Sequence, residues 1–415
     1  MSAGQIVPSM SEEKPRLRVL YSFPLRLGAS RVCYTAWQQV YGLAQAGAEV
    51  LVFPGSLHRP VPHGIRVCPT LARGKLRLSY RLIGTMRAVA LHDWIVARRL
   101  EKLQGEVDIV HTWPLGALET LKAAQRLGIT TVLERPNAHT AFAMEVVQRE
   151  CERLKVTLPA DHEHAYNAGK LQREEAEYEL ASHLLCPSDF VKKTYLDRGF
   201  PAAKLVRHIY GYDDRVFYPA TGARYESRGL NVLFVGLCAV RKGVHYALEA
   251  WLKSPASCEG TFSIAGEFLP DYEQKLKPML AHPSVKVLGH RNDVPELMRK
   301  SDIVVLPSIE EGSALVTAEA RGSGCVILVS DASGANCEHM VDALVHTAGD
   351  VDALSKHMTM LHADRSMLER LRTASIRTAN AITWSAAGRR LFQAYLEILA
   401  EARATPSRAL TPLAY

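Results

Sequence analysis

The segment Pro307-Ser-Ile-Glu-Glu-Gly-Ser-Ala-Leu-Val-Thr-Ala-Glu319 sets two carboxylates, Glu311 and Glu319, seven residues apart, with small residues between them. It follows an apolar run, Ile303 to Leu306, and leads into a helical pattern from about Leu315. If Glu311 lies just before the helix, Glu319 falls about two turns along it. The amides of Gly312, Ser313, Ala314 and Leu315, with Val316 next in line, then point from a helix N-terminus toward an anion. Ionised carboxylates accept hydrogen bonds from hydroxyls, so the segment serves both a sugar and a phosphate. Arg241 and Lys242, soon after the run Asn231 to Val235 and the turn at Gly236, add two cations. The bland alternative for the glutamates is a solvated turn and helix face.

Other candidates are weighed in the same way. His139, in Leu133-Glu-Arg-Pro-Asn-Ala-His-Thr140, follows an apolar run in a loop and is the first-choice histidine, with Arg135 or Asn137 as helpers. His111 also ends a run and is the second choice. Asp161-His-Glu-His164 has metal-like residue types but no partner group elsewhere, so a polar loop is the favoured reading. Asp350-Val-Asp352 looks like a metal-binding triplet, yet it precedes the periodic Leu354, Met358 and Leu361, and an N-capping aspartate explains it more simply. No metal and no cofactor is expected.

These residues need strands and turns to hold them. Leu17 to Phe23, a turn with Gly28, a helix from Val32 to Ala46 and a strand from Glu49 to Phe53 open one alternating unit. Asn231 to Val235 and a helix from Val244 to Leu252 open another. Further apolar runs at 108–111, 131–133, 183–186, 261–265, 285–288, 303–306 and 326–330 suit parallel strands buried on both faces. The residue pattern predicts an extension at 1–16, one α/β domain at 17–215, a linker at 216–229, a second at 230–383, a helix at 384–402 and a tail at 403–415.

The ordered set Phe234-Val-Gly-Leu-Cys-Ala-Val-Arg-Lys-Gly243, Leu288-Gly-His290, Glu311 to Glu319, Gly322-Ser-Gly324 and Ser333-Gly-Ala335 resembles the E-x7-E signature region of the family 4 retaining glycosyltransferases. Cys186-Pro-Ser188 and Tyr210-Gly-Tyr-Asp213, with Phe217 and Pro219, resemble the end of such an enzyme's first domain. The resemblance runs from Leu17 to Leu399 and implies the GT-B fold: two facing Rossmann-like, doubly wound domains, with the C-terminal helix returning to the first. It implies a retaining, metal-independent hexosyltransferase that uses a UDP- or GDP-sugar. Glu311, Lys242, Arg241 and His139 are then the catalytic set. Glu319, Gly312 to Val316, Gly236, His290, Arg291 and Gly28 bind the donor. Leu237 stands where many relatives carry an arginine, which leaves Arg241 either to supply that charge or to face solvent.

Composition narrows the partners. The 415 residues carry 50 basic and 43 acidic side chains, a net charge of +7, and are 47% hydrophobic, values of a globular chain too long for one core. No nucleic-acid partner is implied, and neither Gly28 nor Gly236 sits in the G-x-G-x-x-G turn of a nicotinamide dehydrogenase. The eight cysteines lack metal or redox spacing, and the start lacks an export signal, so a cytoplasmic protein is expected. Its acceptor would be a saccharide or a lipid-linked saccharide, in polysaccharide or glycoconjugate assembly. Arg73 to Lys102 reads as a basic helix with two outcomes: a stripe packed on the sheet with solvated charges, which is favoured, or a peripheral contact at the inner membrane face. A non-catalytic sugar-nucleotide-binding protein of the same fold is the alternative function.

Overall fold

In the computed structural model, residues 17–74, 76–78, 80–220 and 229–404 are described. The expected extension at 1–16, most of the expected linker and most of the tail lie outside them. Among the described residues, two parallel sheets form. The first runs β3-β2-β1-β4-β5-β6-β7, built from β1 (Arg18–Leu27), β2 (Glu49–Leu57), β3 (Arg66–Val67), β4 (Ile109–Thr112), β5 (Thr130–Glu134), β6 (His183–Cys186) and β7 (Leu205–Arg207). The second runs β10-β9-β8-β11-β12-β13, from β8 (Asn231–Val235), β9 (Thr261–Ala265), β10 (Val285–Gly289), β11 (Ile303–Leu306), β12 (Val326–Ser330) and β13 (Ala343–His346). In both sheets the order reverses beside the first strand, which opens a crevice outside the carboxyl ends of the strands.

Eight helices matter below: α1 (Val32–Gln45), α2 (Thr85–Leu100), α3 (Thr140–Leu154), α4 (Ala168–Leu180), α5 (Val244–Lys253), α6 (Leu315–Gly322), α7 (Val351–Ala363) and α8 (Trp384–Ala404). The apolar runs became strands because they bury both faces: every residue of β11 and of β12 is buried. Helix α8 returns to the first sheet, where Leu391, Tyr395 and Ile398 join a core with Tyr21, Val40 and Leu43. Its path is tight. A Cβ on Gly42 of α1 would lie 2.7 Å from the Gly388 Cα of α8, so only hydrogen at that position lets the helices cross so closely.

One expectation is corrected. The segment 73–102 is not one helix: Ala72–Arg73 pairs with Leu76–Arg77 as a small hairpin, Tyr80–Ile83 is a single turn, and only Thr85–Leu100 is a long helix. Gly74 and Gly84, both at positive φ, interrupt the helical path. The stripe splits accordingly: Val89, Val96 and Leu100 are buried on the sheet, whereas Leu82 and Met86 face solvent. Helix α3 adds a feature that the residue pattern did not signal. It leaves the first sheet after β5, yet Val147, Cys151 and Leu154 belong to the core of the second sheet. Glu150 on the same helix meets His245 Nε2 at 2.8 Å and accepts from the Tyr246 hydroxyl at 2.7 Å. Burial opposes its charge, but these bonds and Arg153 bring its carboxyl down to about 2.

Candidate functional site

Three segments at carboxyl ends of strands build the site. A short 3-10 turn after β8, Val240–Lys242, presents Arg241 and Lys242. The loop after β11 presents Glu310 and Glu311 and enters α6 at Leu315, with Ala314 as N-cap and no side chain capping the end. The loop after β5 comes from the first sheet and brings Pro136 to His139. Gly243, at φ +69°, lets the first two segments meet, since a Cβ there would strike the Pro307 carbonyl.

The charged side chains converge. Lys242 Nζ pairs with Glu311 Oε1, and Arg241 Nη1 lies 2.9 Å from Glu311 Oε2 and 3.4 Å from Glu310 Oε2. Arg241 also donates to the Glu310 carbonyl at 3.0 Å. Its guanidinium is therefore turned inward and not toward solvent. Burial works against its charge, but Glu311, Glu310 and Glu163 outweigh that and strengthen its hold on the proton. Lys242 goes the other way: burial pulls its ammonium below the usual lysine range despite Glu311. A cation held short of full solvation gains most from an arriving anion. Glu319, one side of α6 further on, has its carboxyl pushed up to about 7 by burial alone. Such a group is poised to accept hydroxyl hydrogen bonds that favour its charged form.

The loops from the two sheets touch. Ala138 N donates to Glu310 Oε1 at 3.1 Å, and the Ser188 hydroxyl donates to the Gly312 carbonyl at 2.5 Å. A Cβ on Gly312 would sit 1.7 Å from the Pro136 carbonyl oxygen. Ser188, from the Cys186-Pro-Ser188 segment, also caps its own helix by accepting from Val191 N.

His139 caps α3 and packs among Tyr178, Tyr195 and Phe200. Its Nδ1 accepts from Ala141 N at 3.3 Å and from Arg198 Nε at 3.1 Å. Burial, with Arg198 and Arg135 nearby, lowers its pKa to about 3. The ring is neutral, so its proton sits on Nε2, where it can only donate. His111 is a core residue. It is stacked on Tyr21, and its Nδ1 is 2.5 Å from the Tyr395 hydroxyl on α8. Gly28, at φ +84°, is engaged elsewhere: its carbonyl accepts from Arg59 Nε at 2.8 Å. Gly236, at φ +142°, closes β8. His290 is exposed beyond β10, and Arg291 is paired with Asp293 at 2.6 Å.

Asp350 accepts from Ala353 N at 2.9 Å as the N-cap of α7, and Asp352 pairs with Lys253 at 3.0 Å, so the triplet is spoken for. Among the described residues no cluster of histidine, cysteine and carboxylate side chains could hold a metal ion. What sequence reasoning missed is Glu310, fully buried and bound by three partners, and His164, which lies in a polar loop but is itself buried. The adjacency of two glutamates before Gly312 was the available signal for the first.

A family model described as "Glycosyl transferases group 1" matches residues 229–364. An Escherichia coli UDP-Gal:alpha-D-GlcNAc-diphosphoundecaprenol alpha-1,3-galactosyltransferase is 33% identical over 81 residues, 19% of this chain and 21% of its own length. A Mycobacterium tuberculosis glycogen synthase is 27% identical over 197 residues, 44% of this chain and 46% of its own. The chain thus spans about a fifth to a half of these relatives. Among solved structures, sucrose-phosphate synthase from Thermosynechococcus elongatus superposes with a TM-score of 0.66 at 18% identity, covering 93% of this chain and 100% of the other. HepE from Anabaena in complex with UDP superposes at 0.62 and 16% identity, over 94% of this chain and 100% of its own. These likenesses show the GT-B fold.

Proposed function

We propose, from the match of residues 229–364 to the group 1 glycosyl transferase model and from the GT-B fold, that the chain transfers a sugar from a nucleoside-diphosphate sugar to an acceptor hydroxyl. The observation that carries this reading is the convergence of Lys242, Arg241 and Glu311 beside the uncapped start of α6. As the glycosidic bond breaks, negative charge grows on the leaving diphosphate. Lys242, Arg241 and the amides of Gly312, Ser313 and Leu315 stabilise that charge more in the transition state than in the ground state, while the Ala314 amide is held by the Ser333 carbonyl at 3.4 Å. The arriving phosphates compete with Glu311 for Lys242, which frees Glu311 to accept from sugar hydroxyls. Glu319 takes the ribose hydroxyls, and His139 donates through Nε2 to a sugar oxygen. The backbone at Gly236 borders the donor, and the backbone at His290 and Arg291 flanks the base.

The positive charge needed by the diphosphate comes from side chains and amides, which supports a metal-independent reaction. Retention of anomeric configuration rests on the resemblance of Glu311 to Glu319 to the E-x7-E enzymes. The HepE complex with UDP supports a uridine donor, with GDP-sugars as the other choice. The galactosyltransferase named for a diphosphoundecaprenol acceptor supports a lipid-linked saccharide. A soluble saccharide acceptor is the other option, and the setting is polysaccharide or glycoconjugate assembly in the cytoplasm.

Contact with the inner membrane face is supported by one stretch of chain. No helix among the described residues is long and apolar enough to cross a membrane. Leu76, Leu82 and Trp94 are 80%, 86% and 53% exposed, and exposed Arg73, Arg77, Arg87 and Arg98 lie in the same stretch of chain. Apolar anchors among arginines suit an anionic bilayer surface. Co-sedimentation with phosphatidylglycerol vesicles that weakens in Leu82→Ser/Trp94→Ser protein supports it, and equal binding to neutral vesicles refutes it.

The test of the main reading is a panel of UDP-, GDP- and ADP-sugars, scored by thermal shift and then by donor hydrolysis. One base should stabilise the protein and be turned over without added metal. Binding with no hydrolysis and no transfer to any acceptor favours a non-catalytic sugar-nucleotide-binding protein instead.

A further inference from the structure

Glu310 is not part of the E-x7-E pair, yet it is the most enclosed acid of the site. Its side chain is fully buried and meets three donors from three places: Ala138 N at 3.1 Å, His164 Nε2 at 3.1 Å and Arg241 Nη1 at 3.4 Å. Burial opposes its charge, but His164 and Arg241 bring its pKa down to about 2. An ionised carboxylate only accepts, so the proton in the contact with His164 belongs to Nε2. His164 is itself 4% exposed, its Nδ1 makes no hydrogen bond, and Glu163 Oε1 stands 3.6 Å away. Glu163 in turn lies 3.8 Å from Arg241 Nη2.

His164 does not belong to the second sheet. It sits on the loop between α3 and α4, which emerges from the first sheet's side of the chain. The loop is held on both sides of His164: α3 docks into the second core through Val147, Cys151 and Leu154, Thr157 N donates to Asp271 at 3.3 Å, and Lys170 Nζ of α4 donates to the Glu163 carbonyl at 2.8 Å. The contact with Glu310 is therefore made by an anchored strap and not by a wandering loop.

We propose that His164 is a positioning residue of the donor site: through Glu310 it fixes the guanidinium of Arg241 in the orientation that receives the donor diphosphate. The proposal rests on the donor-site reading above and adds a residue to it. Arg241 has two carboxylate partners with different freedom. Glu311 is shared with Lys242 and has a task on the sugar, so it leaves when phosphate arrives. Glu310 has neither the space nor a competing ligand, and it keeps its hold on one face of the guanidinium while the other turns to phosphate oxygens. An arginine pre-set in this way loses less side-chain freedom on binding, and bidentate contact with a phosphate depends on that orientation. Without the His164 proton, Glu310 has one donor fewer and pulls Arg241 toward itself and away from the phosphates.

The test compares His164→Ala, His164→Asn and His164→Gln with wild type. Each is titrated by calorimetry with the nucleoside diphosphate that wild type binds and with the matching monophosphate, and each is checked for its melting temperature. Glutamine can place a donor near the position of Nε2, whereas asparagine is too short. The expected result is a weakening of diphosphate binding by about tenfold or more in the alanine and asparagine proteins, with monophosphate binding changed by less than about threefold, and recovery in the glutamine protein. Donor KM should rise in step. Equal loss of diphosphate and monophosphate binding, or no rescue by glutamine, would mean a merely structural residue and overturn the proposal. Wild-type affinity in the alanine protein overturns it as well. If alanine fails to fold, the asparagine and glutamine pair still decides. A wild-type protein that binds none of UDP, GDP and ADP would instead refute the donor-site reading itself.

Discussion

Glu319→Gln is expected to make the protein more stable and a worse binder at the same time. Burial lifts the Glu319 carboxyl from its ordinary 4.5 to about 7. Its folded pKa is above its unfolded one, so the unfolded chain ionises first. Stability is fully present below about pH 4.5, falls as pH rises, and has lost about 3 kcal/mol by pH 8, at 1.36 kcal/mol per pH unit. Glu319 is only partly covered, so we expect a gain of about 1–3 kcal/mol for the glutamine protein at pH 8, fading to under about 0.5 kcal/mol at pH 4. The assay is urea unfolding of both proteins at the two pH values, followed by nucleotide titration. A neutral amide is a weaker acceptor for ribose hydroxyls than a carboxylate, so affinity should fall by about tenfold. A stability difference that does not vary with pH, or unchanged affinity, would refute the claim that a binding carboxylate is held here at the expense of stability.

Other substitutions probe the frame. Gly312→Ala places a methyl 1.7 Å from the Pro136 carbonyl; donor turnover should drop at least about tenfold, because the loops from the two sheets must separate to accommodate it. Turnover close to wild type would show that this contact does not shape the site. Asp350→Ala removes the cap on α7 and should cost about 1 kcal/mol in urea unfolding while leaving donor hydrolysis, with or without chelator, unchanged. A chelator-sensitive loss of activity in the wild type would instead return that triplet to consideration as a metal site.

Much of the frame was legible because buried parallel strands write themselves as continuous β-branched runs. Asn231 to Val235, Ile303 to Leu306 and Val326 to Ser330 are strands over those same residues. Helix α8 was legible for the same kind of reason, an apolar stripe of helical period that begins at Trp384. Helix α3 carries that period too, at Ala143, Val147, Cys151 and Leu154, but a pattern does not say which core receives it, and here the core is across the chain. The short pieces between Ala72 and Leu100 misled because the recurrence of leucines continued through Gly74 and Gly84, which end local structure. At the site, the glutamates and cations were readable from spacing, and their convergence is geometry that spacing anticipates. His164 was not readable, since its value lies wholly in a contact with Glu310, 146 residues away in sequence.

The central claim is that Lys242 and its neighbours stabilise a departing nucleoside diphosphate. The most direct measurement is steady-state donor turnover by Lys242→Ala beside wild type, with the melting temperature as a check on folding. The alanine protein should keep its fold and lose at least about a hundredfold in kcat, about 2.7 kcal/mol of transition-state stabilisation, with a smaller change in KM. A folded Lys242→Ala protein with the kcat of wild type would contradict the account.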